Sequence, residues 1–299
     1  MNKVAVIGSS NTDMVVKSGR FPSPGETVLG GEFFMFPGGK GANQAVAAAR
    51  MGAETTFLCA LGNDLFGRKA LEGYAEEGLD TSAVLIVPEV ASGIALITVN
   101  AAGENEIVVA SGANAHLTAS WLATHGDHLK GCDMILTQLE IPMPTISYLA
   151  DFCREQQLPM ILNPAPACDL PDVLLDGLYA LTPNQSETEF LTGITVKDLE
   201  TAQEASDALR AKGVLNVVIT MGSSGAFYNG TEGSYLVQAQ RVTAVDTTAA
   251  GDVFNGVLAS WLARGKEWRS SLEQANAAAA LSVTRMGAQS SAPYHHEIL

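Results

Sequence analysis

Asp246-Thr247-Thr248-Ala249-Ala250-Gly251-Asp252 sits at a change of rhythm in the chain. An alternating apolar run precedes it. After it, Phe254, Val257, Leu258, Trp261 and Leu262 recur at i, i+3, i+4, i+7 and i+8, one face of an α-helix. Three small residues therefore stand where a helix begins, with a carboxylate just after them. The first turn of a helix has N–H groups without internal partners and carries partial positive charge. Small side chains let an anion approach those groups. An acid beside an anion site suits a group that takes a proton from something attacking the anion. The stretch points to phosphoryl transfer.

Working outward, strands and helical segments alternate. Val4 to Ile7 is a short apolar run ending at Gly8, as for a strand buried on both faces. Further strands are expected at 55–60, 134–138, 160–163, 178–182 and 216–220. Helices are expected at 65–77, 144–156, 187–192, 200–212 and about 272–286, and in the Ala-rich piece 44–51 with Gly52 as its stop. Strands spaced by helices imply βαβ units and a parallel sheet. Residues 15–37 lack a helical period, and 94–99 with 106–110 read as a hairpin with a long loop. Together these regions predict a small separate β-sheet, a lid or dimer surface built from about 11–37 and 94–110. The expected fold is α/β, a three-layer α-β-α domain over 1–299 with a mostly parallel central sheet.

Composition narrows the function. The 299 residues are 47% apolar and 16% charged, with net charge −15. The 17 Lys and Arg are scattered, which sets aside a nucleic-acid partner. The four cysteines lack zinc-ligand spacing and read as buried free thiols. No signal peptide or membrane span is legible, so a soluble cytoplasmic protein is expected.

Several strand ends carry polar or small residues. Gly8 to Asp13 reads as a turn, where Asn11 and Asp13 either stabilise the turn or face a ligand. Gly38-Gly39-Lys40-Gly41-Ala42-Asn43 is not a Walker loop, because Gly41 follows Lys40. Lys40 and Asn43 beside close-approaching backbone suit a polyhydroxylated ligand. Glu140 either ends its strand or accepts a sugar hydroxyl. Asn163 precedes Pro164. Asn184 and Glu187 have capping-box spacing, or else face phosphates and a hydrated Mg²⁺. Thr220-Met221-Gly222-Ser223-Ser224-Gly225 is either a plain turn or a nucleotide loop. In a parallel sheet these ends share one edge.

Gly8…Asn11-x-Asp13, Gly38 to Gln44, Asn163-Pro164-Ala165, Asn184-x-x-Glu187 and Asp246 to Asp252 together resemble the ribokinase-type (phosphofructokinase-B) carbohydrate kinases. The resemblance covers essentially the whole chain. It implies transfer of the ATP γ-phosphoryl group to the 5-hydroxyl of D-ribose, and a homodimer formed through the lid. By resemblance, Asn11, Asp13, Gly39, Lys40, Gly41, Asn43, Glu140 and Asp252 hold the sugar, with Asp252 as general base. Ala249, Ala250 and Gly251 supply anion-hole N–H groups. Asn184, the 220–225 loop and Asn276 line the nucleotide site, and Glu187 sits near Mg²⁺. Relatives often carry His at the Asn276 position. A K⁺ site maps to Asp246, Thr248, Ser282, Arg285, Gly287 and Ser291. Competing readings are a kinase for deoxyribose, another sugar or a nucleoside, with Phe34 and Phe36 lining an apolar pocket, or a sugar-binding protein without catalysis.

Overall fold

The structure is a computed structural model and describes residues 2–298. In chain order, β1 (Lys3–Ile7), β2 (Asn11–Lys17) and β3 (Glu32–Gly38) precede α1 (Lys40–Arg50). Next come β4 (Glu54–Leu58), β5 (Ala60–Gly62), α2 (Leu65–Glu76) and β6 (Leu85–Val87). The hairpin β7 (Gly93–Val99) and β8 (Asn105–Ala110) leads to α3 (Ala119–Thr124) and β9 (Met134–Thr137). The middle holds α4 (Met143–Gln156), β10 (Met160–Leu162), α5 (Asp172–Leu175), β11 (Ala180–Leu181) and α6 (Gln185–Thr192). Then follow α7 (Leu199–Ala211), β12 (Asn216–Thr220), β13 (Ala226–Gly230), β14 (Gly233–Val237), α8 (Ala250–Ala263) and α9 (Trp268–Ser282).

The central sheet has the order β14-β13-β12-β11-β10-β9-β1-β4. The strands from β12 to β4 pair in parallel, and the β13–β14 hairpin closes the edge antiparallel. Strand alternation splits the core in two. Val4 and Val6 join α1, α8 and α9 on one face, while Ala5 and Ile7 join α4 and α7 on the other. Each fully buried Val or Ile among them contributes about 1.5–3 kcal/mol.

The smaller sheet has the order β3-β2-β7-β8. It comes from the two regions that lacked core periodicity. Only their ends are strands, because residues 18–31 run as irregular chain. The expected turn at 8–13 is corrected here. Gly8, Ser9 and Ser10 make the connection, and Asn11 already opens β2. Asn11 and Asp13 are therefore i and i+2 on one face of a strand of the small sheet. The last helix was expected too late in the chain. It spans Trp268–Ser282, because Thr284 and Arg285 already close tight turns onto Leu281 and Ser282. The β13–β14 hairpin had no expectation at all. Both strands are short, and the Asn229-Gly230 pair that signals a hairpin lies at the end of β13, before the Thr231-Glu232 connection.

Candidate active site

Two small-residue helices bring the site together. A Cβ on Gly256 of α8 would lie 2.4 Å from the Gln44 carbonyl and 2.7 Å from Ala47 Cβ of α1. Only glycine permits that approach. The Ala-rich sequence of α1 thus does more than favour a helix. It lets α1 lie close enough for Asn43 and Gln44 to reach Asp252 in the first turn of α8. Asn43 Nδ2 donates to Asp252 Oδ2 at 2.9 Å, and Gln44 Nε2 donates to Oδ1 at 3.0 Å. Asp252 is 6% exposed, so both oxygens are fixed by neutral donors away from bulk water.

Glu140, Lys40 and Asp13 gather around this carboxylate. Glu140 Oε2 accepts from Ser9 Oγ at 2.5 Å and from the Lys40 backbone at 3.0 Å. The Lys40 ammonium is held above its ordinary range by Asp252 first, against desolvation, with Glu140, Glu187 and Asp13 adding to the pull. Asp13 is pushed up to about 6 by burial first, then by Glu140 and Asp252, with Lys40 opposing. One lysine therefore balances four carboxylates. The backbone is packed hard here: a Cβ on Gly41 would meet the Gly8 carbonyl carbon and Ser9 N at 2.5 Å. Asn11 Oδ1 accepts from Asn114 Nδ2 at 2.8 Å, and Asn114 also bonds both backbone groups of Ser10. Asn43 Oδ1 is buried without a partner. That leaves an acceptor open to a ligand hydroxyl.

Ala249 adopts φ 59°, a left-handed conformation that non-glycine residues rarely take, and α8 starts at the next residue. Such a residue costs of order 1–3 kcal/mol and clusters at functional sites. A left-handed residue followed by helical ones turns successive N–H groups toward one point, an anion-binding concavity. The helix start has no side-chain cap. The Ala250 N–H makes one long bond, 3.4 Å, to the Thr247 carbonyl, which leaves the N–H groups of Ala249 and Gly251 for an anion.

Beside Gly251 opens a cavity of about 1050 Å³. Asn184, Thr220, Gly222, Ser223, Ser224, Gly225 and Asn276, the residues expected around a nucleotide, line it together. Asn276 Nδ2 is engaged with the Val237 carbonyl at 2.9 Å. Asn184 and Glu187 do form the capping box, with reciprocal bonds of 2.8 Å. Glu187 is nevertheless 8% exposed, and desolvation raises its carboxyl above the ordinary range despite the Asn184 N–H. Its field reaches Lys40, so the cap and the charged cluster share one carboxylate. Among the described residues, Arg241 is the single charged side chain lining the cavity.

The proposed cation residues come together in part. Asp246 accepts from Thr248 N and Gly287 N, each at 2.9 Å, and the Val283 carbonyl accepts from Val245 and Asp246. Desolvation pushes the Asp246 carboxyl up, but the Thr248 and Gly287 bonds together hold it below its usual range. The loop before α8 is thereby stapled to the chain after α9. The Arg285 side chain turns to Glu297 at 2.6 Å, and Ser291 Oγ donates to the Ala288 carbonyl of its own turn. Arg285 could offer an ion only its carbonyl.

Sequence reasoning assigned no role to Ser9, Gln44, Asn114 or Arg241. Gln44 stood inside a quoted motif, and its amide chemistry was the available signal. Asn114 lies in a short 3₁₀ turn, Gly112–His116, with no periodic pattern to mark it.

Comparison with known proteins places the chain in a family. Residues 1–294 match the pfkB family of carbohydrate kinases. The Haemophilus influenzae ribokinase is 40% identical, with 99% of this chain and 97% of that protein covered. A Salmonella typhi deoxyribokinase is 36% identical over 97% of this chain and 95% of its own length. The structure of Arabidopsis thaliana ribokinase complexed with ribose and ATP superposes with a TM-score of 0.94 at 29% identity, covering 99% of this chain and 97% of that one. The chain belongs to the pfkB family of carbohydrate kinases.

Proposed function

We propose that this sugar kinase transfers the γ-phosphoryl group of ATP to the 5-hydroxyl of D-ribose. One observation carries the reading. The buried Asp252 carboxylate stands between a crowded polar pocket and an open cavity, at the N–H-rich start of α8. Asn11, Asp13, Gly39, Lys40, Gly41, Asn43 and Glu140 hold the sugar, whose hydroxyls suit so dense a set of donors and acceptors. Asp252 takes the 5-hydroxyl proton as that oxygen bonds to the γ-phosphorus. The bond from phosphorus to the bridging oxygen breaks, and ADP leaves with its electron pair. Alignment and charge neutralisation dominate such a step. Backbone N–H groups of 249–251 meet the charge on the equatorial oxygens without reorganising.

Asn184, the 220–225 loop and Asn276 receive the nucleotide. Mg²⁺ prefers oxygen ligands, keeps waters and binds phosphates, which suits the single carboxylate of Glu187. When bound it supplies further neutralisation of phosphate charge. A K⁺ ion would take Asp246 with the carbonyls of Thr248, Ser282, Arg285, Gly287 and the Ser291 turn. All are oxygen donors.

The chain works as one unit over 1–299, with the small sheet as its lid. The lid's inner face bears Asn11 and Asp13. Its outer face exposes Phe33 at 61%, Leu96 at 50% and Val108 at 68%, an apolar surface that a second copy would cover. Among the described residues no helix is long and apolar enough to cross a membrane.

ATP turnover with ribose, deoxyribose, fructose and adenosine, in K⁺ and in Na⁺ buffers, tests the reading. Ribose should give the highest kcat/KM, with K⁺ faster than Na⁺. ADP release independent of any sugar would overturn it. Preference for deoxyribose would move the assignment to the substrate of the 36%-identical relative. Sedimentation of the lid variant Val108→Glu, monomeric where the parent is dimeric, tests the homodimer.

A further inference from the structure

Asp252 is held by two chains of side-chain hydrogen bonds that start from one residue, Thr182. In the first, Asn163 Nδ2 donates to the Thr182 carbonyl at 3.0 Å. Gln44 Nε2 donates to Asn163 Oδ1 at 3.1 Å and to Asp252 Oδ1 at 3.0 Å. In the second, Thr182 Oγ1 donates to Asn255 Oδ1 at 2.6 Å, and Asn255 Nδ2 donates to the Gly251 carbonyl at 2.8 Å. Gly251 and Asp252 are consecutive, so the two chains close a ring. Gln44 is 0% exposed, Thr182 and Asn255 1%, and Asn163 6%. None of the four lines the nucleotide cavity.

The direction of every bond is forced. A backbone carbonyl only accepts. Asn163 must therefore turn its NH₂ to Thr182 and its oxygen to Gln44. Gln44 must then present Nε2, and both of its hydrogens are used. Gln138 Nε2 fixes the other end of that amide by donating to Gln44 Oε1 at 2.6 Å. On the second path Asn255 must turn its NH₂ to the Gly251 carbonyl, which leaves the Thr182 hydroxyl as donor. No member can flip without setting oxygen against oxygen. Apolar side chains of equal volume could fill this space with no buried polar groups to satisfy. What the ring adds is geometry.

Thr182 follows β11 in the middle of the sheet, two residues before Asn184. Its carbonyl sets one carboxylate oxygen of Asp252 through two amides. Its hydroxyl sets the carbonyl of the residue before. The strand end that leads to the nucleotide side is thus bonded to both halves of the junction at the start of α8.

We propose that Thr182, Asn163, Gln44 and Asn255 are positioning residues that hold the Asp252 carboxylate and the first turn of α8 as one rigid unit. The proposal rests on the reading of Asp252 as the base. A base displaced by ~1 Å loses on the order of 10²-fold in rate, while substrates still find their own contacts. The ring therefore governs kcat and leaves both KM values nearly untouched.

Thr182→Val and Gln44→Met keep size and remove one arm each. Each should lower kcat by roughly 10- to 100-fold with both KM values within about 3-fold. Thr182→Ser, which restores the hydroxyl, should recover most of the loss of Thr182→Val. The decisive comparison is Gln44→Met in an Asp252→Asn background, where no carboxylate is left to position. There it should lower the residual rate by less than about 2-fold. An equal proportional loss in both backgrounds would mean that Gln44 is merely structural, and an unchanged kcat in the single variants would mean that the ring is incidental. Should Gln44→Met not fold, Gln44→Leu serves. It removes the same donor with a different shape and should depress kcat as Gln44→Met would; wild-type kcat there would overturn the proposal. Near wild-type kcat in Asp252→Asn itself would sink the base assignment, a separate failure.

Discussion

The two ends of the site are built on opposite plans. At the proposed sugar end, backbone crowds backbone, charged groups are buried together and most polar atoms are already bonded. At the proposed nucleotide end, a cavity of about 1050 Å³ is lined by neutral residues, many of them small, with one arginine among the described residues. The contrast follows from the ligands' chemistry. A small sugar has hydroxyls in every direction and is distinguished only by groups fixed around it. A nucleotide supplies its own charge and surface, so loops, glycines and N–H groups suffice. Rigidity belongs at the end where specificity is decided.

The sharpest way to break this contrast is Asp252→Asn, the substitution at the boundary. It should lower kcat by at least about 10²-fold with little change in either KM, read in steady-state kinetics. A loss in KM alone would make Asp252 a binding residue only.

Two glycines set the ends against each other directly. Gly41→Ala places a methyl 2.5 Å from the Gly8 carbonyl carbon and Ser9 N, backbone that cannot move aside. It should destabilise by about 1–3 kcal/mol in urea unfolding and weaken sugar binding. Gly251→Ala meets nothing within 4 Å. It should leave stability unchanged or raise it by up to about 1 kcal/mol, as alanine favours a helix, while its methyl enters the space of the phosphoryl group and lowers kcat. Equal stability losses would erase the distinction.

Asp13 sharpens it through pH. Its carboxyl is raised from 3.8 to about 6, so it becomes a full acceptor only above that pH. The KM for sugar should fall as pH rises through about 6, and Asp13→Asn should abolish the dependence. Stability runs the other way. Between about 4 and 6 the folded state holds a proton that the unfolded state has lost, so stability of the free protein falls as pH rises across that window. Asp13→Asn should remove that fall, seen by thermal unfolding at pH 4.5 and 7.

The smallest effect belongs to Asn276. Its amide already serves the Val237 carbonyl, so Asn276→Ala should raise the KM for ATP by roughly 2- to 10-fold, the worth of one modest hydrogen bond, without touching the sugar KM.

Much of this molecule is legible in one dimension. Strand–helix alternation yields the layered sheet, because side-chain periodicity reports which faces are buried. The failure of periodicity at 15–37 and 94–110 marks the small sheet. The N–H-rich start of α8 and the carboxylate inside it follow from small residues ahead of an amphipathic pattern. Resemblance to a known family supplied the sugar and nucleotide roles that spacing alone left open. What no pattern carried was the company each residue keeps. Gln44 reaches Asp252 only because Gly256 lets α1 and α8 touch. Asn114 clamps Asn11 from a turn 103 residues away. The upward shift of Asp13 exists only once Glu140 and Asp252 are folded against it. Local periodicity fixes which side of an element is buried. Distances between elements far apart in sequence arise from packing, and the positioning of Asp252 is a property of those distances.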